Sequence, residues 1–250
     1  MQNEFKAILQ LTHAVDMDNA QEQYLNFEKA ARVHFPAHTI YWVFTYGERK
    51  QILPGQEQFF SFTDAITQLY SQGCTQALVQ PLYVVPGQEF KQLQQEVACF
   101  KKRNKGFEIS LGAPLLSDAA AVRLFVQKLA SEQEGTRPAS QTILSRQATF
   151  SNGATIYVGH GSNDPDAERI YNLLQQELQG WDKRFFFTSL LSKFGISAII
   201  KQLQQNNYSA VQLIPLMTNP GKKSLAEIAG PGDSLSSKLA DFGISSTAHL

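Results

Sequence analysis

The chain repeats itself at two fixed offsets, and this internal repeat constrains the fold more than any other feature of the sequence. At an offset of 147 residues, a histidine, an alanine and a tyrosine recur in order: His13, Ala20 and Tyr24 match His160, Ala167 and Tyr171. At an offset of 134 residues, six further positions recur: Ile66, Leu69, Pro81, Leu82, Pro86 and Gly87 match Ile200, Leu203, Pro215, Leu216, Pro220 and Gly221. Self-similarity on this scale predicts two copies of one supersecondary unit.

Each copy alternates short β-prone runs with amphipathic helical stretches. Thr39 to Thr45, Ala77 to Val85 and Phe107 to Leu111 are apolar runs of strand length, separated by stretches with apolar residues at helical spacing. Strands that alternate with helices predict parallel βαβ units. We therefore predict an α/β fold of two similar four-stranded parallel-sheet domains, related by pseudo-two-fold symmetry around a central cleft. Gly73 and Asn207 occupy matching helix ends, and both residue types tolerate a left-handed conformation.

The predicted domains are an N-terminal half, residues 1–130, and a C-terminal half, residues 154–250. The connection, residues 131–153, is polar and contains Gly135, Pro138 and repeated Ser and Gln. The amphipathic helix at 118–130 has no counterpart in the second copy. We expect it to pack across both halves.

A histidine between two glycines ends the first strand of the second copy. The sequence Val158-Gly159-His160-Gly161-Ser162 is followed by Asn163 to Asp166, which carry helix-start chemistry. A side chain at the carboxyl end of a strand in an α/β sheet lies where ligands usually bind. His160 could instead merely cap a turn, but His13 stands at the matching position of the first copy.

Two further loops are expected at the same edges of the predicted sheets. They are Pro86-Gly87-Gln88-Glu89 and Pro220-Gly221-Lys222-Lys223. The repeat therefore predicts that His13, His160, Glu89 and Lys223 converge on one cleft.

Composition excludes some classes of function. Lys plus Arg and Asp plus Glu number 22 each, so no global charge favours nucleic acid or an anionic membrane. No apolar run approaches the roughly 20 residues that span a bilayer, and the first residues are too polar for a secretory signal. We expect a cytoplasmic protein that binds neither nucleic acid nor membrane.

Cys74 and Cys99 fit no metal-binding spacing, and we expect both to be ordinary buried residues.

The chain resembles the class II tetrapyrrole chelatases, and among them the anaerobic cobaltochelatases that act on sirohydrochlorin. The resemblance covers nearly the whole chain in order, and its motifs are Leu111-Gly112-Ala113-Pro114-Leu115-Leu116-Ser117, Gly159-His160-Gly161-Ser162, Leu213-Ile214-Pro215-Leu216-Met217 and Gly232-Asp233-Ser234. It implies two similar α/β domains with the tetrapyrrole bound in the cleft between them, in agreement with the repeat.

The resemblance also implies a reaction and its residues. Members insert a divalent metal into a macrocycle whose two pyrrole N–H protons must leave. This needs a neutral imidazole to deliver Co²⁺ or Fe²⁺ and a group to accept protons. By resemblance, His160 is the principal metal-binding histidine and Glu89 its acidic partner. The metal is a substrate, with Co²⁺ expected first and Fe²⁺ or Ni²⁺ also compatible, and no organic cofactor is implied.

Two loops depart from the cobaltochelatase pattern. Lys223 stands where those enzymes carry a further histidine, and it would repel a cation unless burial and His160 lowered its pKa. It could instead bind a peripheral carboxylate of the substrate. The second departure is in the loop that contains His13. Smaller homodimeric chelatases that resemble one half of this chain have a histidine at this position, so His13 is a candidate third metal ligand. Substrate-binding positions on this reasoning are Thr12, Ser162, Met217, Lys222 and Lys223.

Other functions remain open at this point. The main alternative is a non-catalytic tetrapyrrole-, haem- or metal-binding protein on the same scaffold. A nucleotide site is suggested by Gly159 to Asp164, which half-matches G-x-G-x-x-G, although Asp164 takes the place of the third glycine. A serine hydrolase lacks its G-x-S-x-G motif, so Ser162 is expected to bond within its own turn. A zinc hydrolase would need His13, His160 and Glu89 together. The sequence leaves a monomer and a homo-oligomer equally open.

Overall fold

The computed structural model describes residues 5–15, 20–45, 53, 57–133, 153–191 and 195–249. The chain divides into two compact units, Met1–Leu115 and Leu116–Leu250. Each unit has its own parallel β-sheet.

The sheet of the first unit has the strand order β3-β2-β1-β4-β5, with every neighbouring pair parallel. Its central strand is therefore the first strand of the repeat. The elements of this unit in chain order are β1 (Lys6–His13), α1 (Ala20–His34), β2 (Thr39–Thr45), β3 (Gln58–Phe59), α2 (Phe62–Ser71), β4 (Gln76–Pro81), α3 (Gln88–Arg103) and β5 (Glu108–Leu111).

The sheet of the second unit has the order β7-β6-β8-β9, again with parallel neighbours. The elements here are α4 (Ala119–Gln133), β6 (Gly153–Gly159), α5 (Pro165–Trp181), β7 (Phe185–Ser189), α6 (Ile196–Gln205), β8 (Ala210–Pro215), α7 (Lys222–Ala229), α8 (Leu235–Ala240) and β9 (Ser245–Ala248).

The register of the strands confirms the repeat. Leu11 pairs with Pro81 in the first sheet, and Val158 pairs with Pro215 in the second. These are the positions that the offsets of 147 and 134 residues relate. The order β2-β1-β4-β5 thus corresponds to β7-β6-β8-β9, and the predicted α/β fold with two similar parallel sheets is confirmed.

The matching helix ends are confirmed as well. Gly73 has φ of 86° and Asn207 has φ of 57°, both in the left-handed region. In the second unit the Tyr208 amide donates to the Leu203 carbonyl at 2.8 Å, as a Schellman-type helix end requires. The two copies therefore end this helix in the same way with different residues.

Apolar strand faces and helix stripes form a separate core in each unit. In the first unit the core joins the strand residues Leu9 and Val79 to Ile66 and Leu93 of the flanking helices. The corresponding core residues of the second unit include Ile156, Phe186, Ile200, Leu203, Leu213 and Leu239. Full burial of side chains of this size stabilises the fold by about 1.5–3 kcal/mol each.

Helix α4 is placed differently from the expected domain division. The boundary between units falls after Leu115, so α4 belongs to the second unit and not to the N-terminal half. It packs on α5, where Arg123 Nε lies 3.2 Å from Glu177 Oε1. Its start is as expected, because Asp118 Oδ1 accepts hydrogen bonds from the two amides that follow. Most of the predicted connection, residues 134–152, lies outside the described residues.

Two short elements were not predicted. Strand β3 makes the first sheet five-stranded rather than the predicted four-stranded. Helix α8 has Ser234 as its N-cap, and the Ser234 hydroxyl accepts a hydrogen bond from the Ser237 amide at 3.2 Å. Of the cysteines, Cys74 is buried as expected, whereas Cys99 is exposed on the outer face of α3, which corrects that expectation. Among the described residues, no helix is long and apolar enough to cross a membrane.

Candidate active site

His13 lies at the carboxyl edge of the first sheet. It is the last residue of β1, and its side chain is exposed. Its ring centroid lies 5.7 Å from that of Tyr83, and its carbonyl accepts a hydrogen bond from the Tyr24 hydroxyl at 3.2 Å. The central strand therefore presents an imidazole at the edge where α/β sheets bind ligands.

Glu89 lies at the same edge of the first unit, in the first turn of α3. The helix dipole favours a carboxylate at this position. Glu89 lines a pocket of about 190 Å³ together with Tyr83 and Glu96. Because Tyr83 also contacts the ring of His13, it links the histidine to the pocket that holds Glu89.

His160 occupies the matching place in the second unit. It directly follows β6, the strand that pairs with both β7 and β8, and its side chain is exposed. The backbone around it is fixed by two hydrogen bonds: the Leu190 amide donates to the Gly159 carbonyl at 3.0 Å, and the Leu191 amide donates to the His160 carbonyl at 3.1 Å.

The two glycines beside His160 are both required by the geometry of this turn. A Cβ atom on Gly159 would lie 2.9 Å from Phe187 Cζ. Gly161 has φ of 95°, and a Cβ there would lie 2.7 Å from Leu191 Cβ. A side chain at position 159 would therefore press on the Phe187 ring, and one at position 161 would also strain the backbone of the turn that presents the imidazole.

The start of α5 follows the predicted pattern. The Asp164 amide donates to Ser162 Oγ at 3.1 Å, and the Asp166 amide donates to Asp164 Oδ1 at 2.9 Å. Pro165 is the first helical residue. The prediction that Ser162 bonds within its own turn is confirmed.

Lys222 and Lys223 lie in the first turn of α7, the helix that follows β8. Cations are unfavourable at this end of a helix, because its exposed amides carry partial positive charge. The Lys223 side chain is 90% exposed and its Nζ lies 3.8 Å from Glu227 Oε1. The Lys223 side chain is therefore accessible, and the pair of lysines favours an anionic ligand.

Thr12 and Met217 are packed inside their units. Thr12 is 3% exposed, and its carbonyl accepts a hydrogen bond from Thr45 Oγ1 at 3.3 Å. Met217 is half-buried against the core of the second unit. Both placements favour structural roles for these side chains.

The candidate residues are thus distributed over both units. His13 and Glu89 belong to the first, whereas Ser162, His160, Lys222 and Lys223 belong to the second. Within either unit, the described residues include no group of three or more His, Cys, Asp or Glu that could hold a metal ion. Neither unit alone supplies a closed metal site from these side chains.

Tyr83 and Glu96 line the same pocket as Glu89, and the sequence analysis did not single them out. Tyr83 falls in an apolar run predicted as continuous strand, but β4 ends at Pro81 and the tyrosine lies in the following loop. Glu96 stands seven residues after Glu89 on α3, and that spacing places both on one face of a helix.

Comparison with known proteins agrees with the fold. The family model described as cobalt chelatase (CbiK) matches residues 6–250 of this chain. The chain belongs to the cobalt chelatase (CbiK) family. This confirms the resemblance drawn from the motifs.

One curated relative is a sirohydrochlorin cobaltochelatase. The sirohydrochlorin cobaltochelatase CbiKC of Nitratidesulfovibrio vulgaris (strain Hildenborough) is 24% identical over 221 residues, which cover 87% of this chain and 73% of the relative.

Two solved structures share the fold. The sirohydrochlorin chelatase SirB from Bacillus subtilis subspecies spizizenii, in complex with cobalt, superimposes with a TM-score of 0.61 at 15% identity, over 98% of this chain and 87% of SirB. SirB from Bacillus subtilis with Fe³⁺ gives a TM-score of 0.62 at 16% identity, over 98% and 88% of the two chains. At these identities the likeness concerns the fold.

Proposed function

We propose that this protein inserts a divalent metal into sirohydrochlorin or a closely related tetrapyrrole. Co²⁺ is the first candidate and Fe²⁺ the second. Membership of the cobalt chelatase family supports the reaction class, and the curated relative supports the substrate. The observation that carries the proposal is the exposed His160, held between two glycines at the carboxyl end of a central strand.

The reaction exchanges one metal ion for two protons. The metal enters the ring of pyrrole nitrogens as M²⁺, the two N–H protons leave, and the charge of the ring plus metal balances. A neutral imidazole of His160 would carry the metal to the ring, because imidazole nitrogen is a good ligand for Co²⁺ and Fe²⁺. Glu89 would accept a proton, and His13 would serve as a further metal ligand or second acceptor.

The two lysines of α7 are assigned to the periphery of the substrate. Lys222 and Lys223 carry exposed positive charge beside helix amides, and both features attract carboxylates. Sirohydrochlorin carries carboxylate groups around its ring. We infer that this loop orients the macrocycle. The related cobaltochelatases have a histidine at the position of Lys223.

A non-catalytic tetrapyrrole-binding protein is the second candidate. The observation that favours it is Lys223 itself, because an exposed ammonium cannot replace a metal-binding imidazole. His13 offers the compensating imidazole from the first unit.

One experiment separates the two functions. Purified protein is mixed with sirohydrochlorin and Co²⁺, Fe²⁺ or Ni²⁺ under anaerobic conditions, and the absorption spectrum is followed against the same mixture without protein. Metal insertion that is faster than in the protein-free mixture supports the chelatase. A bound tetrapyrrole spectrum with no acceleration for any metal would contradict it and support the binding protein.

A further inference from the structure

The second unit contains a pocket of about 460 Å³ at the edge strand of its sheet. This volume falls in the range of roughly 300–1,000 Å³ that is typical of ligand pockets. Its floor is formed by buried Tyr171, Phe187 and Ser189, and its rim by exposed residues of α5 and α6. The rings of Tyr171 and Phe187 stack at a centroid distance of 4.8 Å.

The internal repeat shows what fills the matching space in the first unit. Trp42 pairs with Gln10 as Phe187 pairs with Tyr157, so Trp42 and Phe187 are equivalent. By the same registers, Phe44 is equivalent to Ser189.

In the first unit the space is closed by large side chains. Tyr24, Trp42, Phe44 and Leu53 form one buried cluster, in which the Tyr24 and Trp42 rings lie 5.2 Å apart. In the second unit, Ser189 replaces Phe44, and the pocket lies where the larger ring would stand.

The neighbouring strand also differs. In the first unit β3 pairs with β2 at Trp42 and Val43. In the second unit β7 is the edge strand among the described residues. Only residues 190–195 connect β7 to α6, whereas residues 46–61 connect β2 to α2. A parallel neighbour needs a connection of about a dozen residues or more, and the connection from β7 to α6 is shorter than that.

Side chains of α5 already form hydrogen bonds with some of the backbone groups on the outer edge of β7. Gln179 Nε2 donates to the Phe185 carbonyl, and the Phe187 amide donates to Gln175 Oε1, each at 2.5 Å. The next outward-facing groups are the Phe187 carbonyl and the Ser189 amide, because alternate residues of a strand face the same side. Phe187 and Ser189 both line the pocket, and Phe187 is the equivalent of Trp42, which pairs with β3 in the first unit.

We propose that this edge of β7 binds an extended segment of another protein, in the manner in which β3 completes the first sheet. The main chain of the segment pairs with Phe187 and Ser189, and an aromatic or leucine side chain enters the pocket over Tyr171 and Phe187. Among the described residues that line the pocket, Glu168 is the one charged side chain, so the segment is neutral or basic beside its apolar residue.

The chain itself supplies a probe. A fluorescent peptide with the sequence of residues 53–61, carrying Glu57→Lys to suit Glu168, is titrated with the full-length protein without metal or tetrapyrrole. Ala198→Trp fills the pocket from an exposed position of α6. Lys201→Trp is the matched control, because it adds the same ring to an exposed position of α6 that does not line the pocket.

We expect the peptide to bind saturably to the wild type and to Lys201→Trp. Its affinity for Ala198→Trp should be at least tenfold lower. Hydrogen exchange at the Ser189 amide should slow when the peptide is bound, and circular dichroism should show all three proteins folded. Absence of saturable binding to the wild type, or equal binding to Ala198→Trp, would overturn the proposal. Self-association of the wild type that Ala198→Trp abolishes would also overturn it, because the occupant would then be a second copy.

Discussion

The ring of His13 lies 5.7 Å from the ring of Tyr83, at an interplanar angle of 54°. Tyr83 also lines the pocket that contains Glu89. We propose that this tyrosine orients the imidazole and shapes the space beside the carboxylate.

Replacement of the Tyr83 ring should impair metal insertion by misplacing His13. We expect Tyr83→Ala to lower kcat by about tenfold, because small displacements of reacting groups are costly. Tyr83→Phe keeps the ring and should retain most activity. Steady-state kinetics with sirohydrochlorin and Co²⁺ measure both variants, and equal loss in the two would show that the hydroxyl and not the ring matters.

Gly161 is predicted to be essential for the turn that presents His160. Gly161→Ala places a Cβ 2.7 Å from Leu191 Cβ at φ of 95°. We expect a loss of about 2–3 kcal/mol in the free energy of unfolding, from backbone strain and overpacking together. The matched control is Gly106→Ala, which has φ of 101° and nothing within 4 Å of the added atom.

Urea denaturation compares these two variants. Gly106→Ala should cost about 1 kcal/mol, the lower end of the range for strain alone. It should leave metal insertion unchanged, since Gly106 precedes β5 at the amino edge of the first sheet, whereas His13 lies at the carboxyl edge. Equal destabilisation by the two changes would mean that close packing around Gly161 contributes nothing.

Lys223 is predicted to act on substrate binding and not on the metal. Lys223→Ala should raise KM for the tetrapyrrole several-fold with a smaller change in kcat, because an ammonium–carboxylate contact is lost. The KM of the wild type should rise with ionic strength, since exposed charge pairs are screened by salt. Lys201→Ala, at an exposed position of α6, is the control and should change neither parameter. A large fall in kcat at unchanged KM would instead place Lys223 in the chemical step.

Asp182 should contribute to stability at neutral pH and lose that contribution in acid. Hydrogen bonds and charge from Arg184 hold the pKa of the Asp182 carboxyl below its ordinary value. A lowered pKa in the folded state favours folding above the unfolded-state pKa, and the benefit disappears as the pH falls through the folded-state pKa.

Asp182→Asn therefore tests this linkage. The variant should unfold at lower temperature than the wild type at pH 7, and the difference in Tm should shrink between about pH 4 and pH 2. A difference in Tm that stays constant over that interval would contradict the assignment.

Much of the fold could be predicted because local patterns and the repeat agree. The strand from Thr39 to Thr45 is predicted at its observed bounds, since a β-prone run between helical stretches has few alternatives. The offsets that relate Leu11 to Val158 hold in the strand registers. Because the same pattern occurs twice, the assignment of strands and helices in one copy supports the assignment in the other.

The features that were missed depend on contacts distant in sequence. Strand β3 is two residues long and is defined by its pairing with β2. The local sequence around Gln58 and Phe59 does not predict that pairing. Helix α4 was placed with the first half because it follows β5 in sequence, whereas its packing on α5 assigns it to the second unit. Tyr83 was missed because Pro81 ends β4 earlier than its apolar sequence indicates.

The central claim is that His160 performs the metal step, and its most direct test is the rate of Co²⁺ insertion into sirohydrochlorin by His160→Ala. His34→Ala, at an exposed end of α1, is the control for loss of a histidine. We predict that His160→Ala falls to the protein-free rate, that His34→Ala keeps the wild-type rate, and that all three proteins have the same Tm. A His160→Ala variant that inserts Co²⁺ at the wild-type rate would contradict the account.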